Sequence, residues 1–126
     1  MMNTAYWCVL AVILMPYLWA MTAEIPSFSL ENNLKPRIKA ESYTGFQQRA
    51  YWAHLNALEA VAPFAAAVII ASLLNVPQSK INNLALAFVG FRIAHALAYI
   101  ANLGTLRSLV WFGGTACLVT LFVAAA

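Results

Sequence analysis

The residues of this chain that could do chemistry lie inside its most apolar stretches. Between Arg49 and Pro63 the sequence reads RAYWAHLNALEAVAP, an arginine, a histidine, an asparagine and a glutamate set among alanines, leucines and aromatics. In a helix, Arg49, Trp52, Asn56, Glu59 and Pro63 recur at +3, +4, +3 and +4, and so form one narrow stripe. A lone charge at the centre of a bilayer costs at least ~2.5–3.5 kcal/mol, so such a stripe faces a protein interior or a wet cavity and not lipid. A second stripe follows at Arg92, His95, Tyr99 and Asn102, spaced +3, +4 and +3. Two polar stripes on two apolar helices imply one shared site.

The elements that must position these residues are membrane spans. The chain has 126 residues, 63% of them hydrophobic and only 9% charged, with apolar runs longer than a soluble core helix requires. A helix needs about 20 apolar residues to cross ~30 Å of hydrocarbon. The chain offers four such stretches, at about 4–23, 45–74, 80–102 and 106–125. The expected fold is therefore an all-α membrane protein, a four-transmembrane-helix bundle forming a single domain over 1–126. The net charge of +3 resides mostly in loops, which excludes a nucleic-acid partner and bears on membrane orientation.

Segment 24–44 is polar, contains Pro26 and Pro36, and clusters Lys35, Arg37 and Lys39, so it reads as a loop outside the hydrocarbon. By the positive-inside rule that loop is cytoplasmic, both termini are non-cytoplasmic, and the lysine-poor NVPQSK turn at 75–80 lies outside. In a bacterium the membrane would be the inner, cell membrane. The first span has no basic residues before it, which favours a retained helix over a cleaved leader. Its Tyr6, Trp7, Tyr17 and Trp19 suit the two interfaces, and Pro16 is expected to kink it.

With this orientation both stripes approach the cytoplasmic boundary. A turn at Leu103 to Thr105 leads into Arg107 and Ser108, which open the last helix, and Gly113, Gly114, Thr115 and Ala116 favour close helix packing there. His54 lies about 140° around the helix from Arg49, away from Glu59 on the stripe, so a metal shared by His54, Glu59 and His95 is not expected. His54 suits an interhelical hydrogen bond or a ligand contact equally well. Arg92 is expected to be neutralised by an acid of a neighbouring subunit, and Cys8 and Cys117 to be inert packing residues.

The ordered set RxxxxHLNxLExxxPF from Arg49 to Phe64, RxxHxxxY at Arg92, His95 and Tyr99, and then Arg107 with Ser108 resembles the MAPEG family, the membrane-associated proteins of eicosanoid and glutathione metabolism. The resemblance runs from the second span to the start of the fourth. It implies a homotrimer of four-helix protomers, with glutathione held at the subunit interface near the cytoplasmic face. Carried over position by position, Asn56 and Glu59 bind the peptide part of glutathione, with Glu59 toward its α-amino group. Arg49 pairs with a glutathione carboxylate or with Glu59 itself. His95 and Tyr99 match ligand positions of the third span, and Arg107 with Ser108 matches the pair beside the thiol.

The chemistry so implied is physically sound. A thiol with a pKa near about 8.5 is mostly protonated at neutral pH, and the reactive form is the thiolate. A guanidinium, a hydroxyl and helix N-terminal amides favour the anion. Soluble glutathione would meet a lipophilic electrophile or lipid hydroperoxide arriving through the bilayer, in a transferase or peroxidase reaction. Two departures favour an alternative, a binding or scaffold protein of the same fold. Trp52 stands where many members carry a second arginine, and the first span closes on MTAEIP with no arginine. A transporter or proton relay through Glu59 and His95 ranks last, because both stripes lie toward one face.

Overall fold

The computed structural model describes all 126 residues. Four long helices dominate: α1 (Thr4–Glu24), α4 (Gly45–Leu73), α5 (Gln78–Ile100) and α6 (Gly104–Ala125). All four are long and apolar enough to cross a membrane. The polar segment is more ordered than a loop. A 3-10 turn at Ile25–Ser27 precedes two short helices, α2 (Leu30–Leu34) and α3 (Pro36–Glu41). The prolines that read as helix breakers act as helix starters, since Pro26 and Pro36 occupy first-turn positions where a missing N–H costs nothing.

Helix α1 packs along α4 and α5, and α6 packs along α5 and α4. Successive spans run in opposite directions, so the 24–44 segment and the α5–α6 turn share one end of the bundle, called here the loop end. The apolar core joins Ala5, Cys8 and Val12 of α1 with Phe64, Ala67 and Val68 of α4, Phe88 of α5, and Cys117 and Leu121 of α6. Phe64 and Phe88 stack face to face with centroids 4.2 Å apart. Both cysteines are free thiols in this core.

Small residues set the α5–α6 approach. A Cβ placed on Gly113 would lie 2.5 Å from the Phe91 ring, so only glycine admits that ring. The turn between these helices differs from the sequence expectation. It spans 101–103 and not Leu103 to Thr105, because Asn102 takes the left-handed conformation at φ 62° and Gly104 begins α6. Asparagine tolerates that region better than most residues. At the other turn Asn75 does the same at φ 58°, and Lys80 joins the first turn of α5.

Side chains close several helix ends whose last carbonyls lack partners within the helix. Gln47 donates to the Ala23 carbonyl at 2.8 Å and to Ser27 Oγ at 3.0 Å, which ties α4 to the end of α1. Arg49 Nε donates to the Ile100 carbonyl at 2.8 Å and so levels the start of α4 with the end of α5. Pro16 and Pro63 both lie inside uninterrupted helices.

Candidate functional site at the α4, α5 and α6 junction

The two stripes do meet, through Asn56. Arg92 Nη2 on α5 donates to Asn56 Oδ1 at 2.6 Å, and Asn56 Nδ2 lies 3.5 Å from Glu59 Oε2 one turn further along α4. Arg92 and His95 are almost fully buried, at 6% and 3% exposure, while Asn56 and Tyr99 are half-buried. Two of the buried atoms, Arg92 Nε and His95 Nδ1, find no partner within the protein. Such atoms are rare in folded chains and mark places where solvent or a ligand is used.

Tyr99 is the hub on the loop side. The Arg107 guanidinium carbon sits 4.5 Å from the centre of its ring, a cation–π geometry. His95 meets the same ring edge-on at 5.7 Å, and Trp52 of α4 lies tilted against it at 6.3 Å. An open cavity of about 350 Å³ is lined by Asn56, His95, Tyr99, Arg107, Ser108 and Trp111. A second cavity, about 260 Å³, continues inward past Asn56 to Glu59, Arg92, Phe88 and Gly114. A small crevice of about 60 Å³ has Arg49 and Arg107 on its walls together with Trp52 and Tyr99.

Charge and depth are both graded along this site. Three arginines (49, 92 and 107) against one glutamate leave a net charge of +2. Glu59 lies ten residues beyond Arg49 on one helix, about 15 Å further into the bundle at 1.5 Å per residue. The mouth is cationic and aromatic, and the inner end is walled by Ala60, Pro63, Phe88 and Leu118 around the Glu59 carboxylate and the Arg92 guanidinium. The site thus extends about 15 Å along α4 from the level of Arg49.

Residues from three spans therefore converge in the order Asn56, Glu59; His95, Tyr99; Arg107, Ser108, at one end of a four-helix bundle. Residues 4–126, nearly the whole chain, match the family model described as the MAPEG family. The chain belongs to the MAPEG family. No curated protein and no solved structure matches it. Membership supports, at the level of the family, a membrane function in glutathione or eicosanoid metabolism.

Several expectations need correction for this MAPEG chain. Arg49 does not pair with Glu59, because the 15 Å between them exceeds side-chain reach and its Nε is committed to Ile100. Arg92 bonds to Asn56 of its own chain through Nη2, a partner that the spacing did not name. Asn102 shares the small crevice with Arg49 and Arg107, but its backbone makes the turn. Ser108 Oγ donates to the Gly104 carbonyl at 3.2 Å, one turn back in α6. His54 makes the interhelical bond that was one of its two expected roles, its Nδ1 lying 2.9 Å from the Pro16 carbonyl of α1.

Arg92 and Trp111 line the site without having been singled out as site residues. Trp111 was legible, since it follows Arg107 by four residues and so lies on the same face of α6. Arg92 belonged to the second stripe, but nothing local to the sequence names Asn56 as its partner.

Proposed function

We propose that the protein is a glutathione-dependent membrane transferase or peroxidase, which activates the glutathione thiol for reaction with lipophilic electrophiles or hydroperoxides. The observation that carries this reading is the single cavity shared by Asn56, His95, Tyr99, Arg107 and Ser108, contiguous with the pocket that holds Glu59. Its net positive charge suits a tripeptide with two carboxylates, one ammonium and a thiol to be ionised. Glu59 takes the ammonium. Arg49, with Nε on Ile100, presents its remaining donors beside Arg107 and takes a carboxylate.

The thiol lies near Arg107, which the Tyr99 ring holds in place. Arg107 is the fourth residue of α6, whose first turn has no side-chain cap, so free amides add to the field favouring the thiolate. The proton lost goes to solvent at the open mouth. The thiolate then attacks an electrophile that reaches the apolar inner wall from the bilayer. Glu59 is exposed on an isolated protomer although it sits deep in a membrane helix. A charge there needs a protein cover, which supports self-association with the site at the subunit interface, as in the homotrimer that the family resemblance implies.

A binding or scaffold role is the second reading, favoured by Asn56, whose two polar atoms are already engaged by Arg92 and Glu59. Calorimetric titration with glutathione, followed by conjugation of an aromatic electrophile by wild type and Arg107→Ala, separates the two. Binding with turnover that falls in the variant supports the enzyme. Binding without turnover supports the scaffold, and no binding by a folded oligomer removes both.

A further inference from the structure

On the opposite face of α4 lies a separate cavity, of about 190 Å³, whose walls include Glu24, Arg37, Tyr43, Tyr51 and His54. Tyr51 and His54 point about 140° and 160° away from Asn56 around the helix, so none of the residues of the site described above lines it. Glu24 ends α1, Arg37 belongs to α3, and both stand at the loop end, where the apolar span Thr4–Ser27 closes. We propose that this cavity binds the headgroup of an aminophospholipid, an ammonium and a phosphate joined by two carbons. This inference is independent of the glutathione reading.

The donors and acceptors divide in the way such a zwitterion requires. The Pro16 carbonyl can only accept, so His54 Nδ1 carries the proton in that 2.9 Å bond, and Nε2 is the acceptor of the imidazole tautomer so defined. Glu24 and His54 thus accept from the ammonium, while Arg37 and the tyrosine hydroxyls donate to the phosphate. Tyr43 is 7% exposed, and burial, reinforced by the nearby Glu24 charge and by Tyr51, raises its pKa, so its hydroxyl stays a donor. Its ring packs edge-on against Tyr51 at 6.1 Å, and Tyr51 in turn lies 5.6 Å from His54. Rings packed on one another do not form a cage for a quaternary ammonium, which argues for a primary amine over choline.

Chain placement agrees. Leu14, Tyr17, Leu18 and Met21 form exposed apolar surface along α1 leading to Glu24, and Ile25 and Ile38, the residues next to Glu24 and Arg37 in sequence, are exposed as well. Acyl chains can follow that surface while the headgroup occupies the cavity. Simple attraction of anionic lipid by Lys35, Arg37 and Lys39 would need neither Glu24 nor a cavity.

The test uses the full-length protein purified in detergent and offered equimolar phosphatidylethanolamine, phosphatidylcholine and phosphatidylglycerol with identical acyl chains, with retained lipid counted by mass spectrometry. Wild type is expected to enrich phosphatidylethanolamine at least about tenfold, the factor that corresponds to 1.4 kcal/mol. Glu24→Gln should lose the preference over phosphatidylcholine, Arg37→Gln should lose retention, and Ala40→Leu should exclude lipid by filling the cavity with both charges intact. Unchanged melting establishes that these variants fold, and Glu59→Gln should keep the enrichment. Equal retention of the three lipids, enrichment of phosphatidylglycerol, or a preference surviving in Glu24→Gln overturns the proposal. Tighter binding of soluble phosphoethanolamine than of phosphatidylethanolamine would also overturn it, in favour of a soluble amino phosphate.

Discussion

Replacing Arg107 by glutamine keeps the length and planarity of the side chain and removes its charge. If Arg107 stabilises the thiolate of bound glutathione, the loss can be sized from electrostatics. Two unit charges about 4 Å apart interact by about 4 kcal/mol at an effective dielectric of 20. Arg107 is only half-buried and the mouth is open, so solvent screening reduces this to about 1.4–2.7 kcal/mol. That is about one to two pKa units on the thiol. The sign is definite: the cation lowers the thiol pKa below about 8.5, and the glutamine variant lets it return upward. Conjugation rate with saturating glutathione, followed from pH 6 to pH 10, reads this directly. Wild type should reach half its plateau between about pH 6.5 and 7.5, whereas Arg107→Gln should be about 10- to 50-fold slower at pH 6.5 and approach wild type above pH 9. Parallel profiles, with the variant slower by one constant factor at every pH, would refute the electrostatic role and leave Arg107 a positioning residue held by Tyr99.

Three further outcomes follow from the same geometry. Asn56→Ala removes the acceptor of Arg92 and leaves a buried guanidinium unpaired, so stability in detergent should fall by about 1.5–3 kcal/mol, while Asn56→Asp should recover it; unchanged denaturation midpoints would mean the 2.6 Å bond is not used. Gly113→Ala drives a methyl into the Phe91 ring and should cost about 1–3 kcal/mol, whereas Gly104→Ala, with open space around it, should be tolerated, as thermal melts of the pair will show. Trp52→Arg adds a cation beside Tyr99 and Glu59 and should tighten glutathione about three- to tenfold by calorimetry; weaker binding would identify Trp52 as a cover stacked on the ligand.

The sequence alone determined the four spans and the identity of the polar faces. Apolar length is measured against a bilayer of known thickness, and the ends of α1, α4, α5 and α6 fall within about two residues of their expected positions. The stripes were equally legible, because a charge in hydrocarbon is too costly to be incidental and helical spacing assigns it a direction. Spacing on one helix, however, fixes an angle and a depth, never the atom across the gap.

Only the packed bundle decided that Arg92 bonds Asn56, that Arg49 closes the end of α5, and that His54 reaches the Pro16 carbonyl. Segment 24–44 shows the same division in reverse. Its prolines and lysines placed it outside the membrane, but whether a proline stops or starts a helix depends on which flanking residues the rest of the chain holds in place. Here α1 and α4 hold them over a cavity that no local pattern announces.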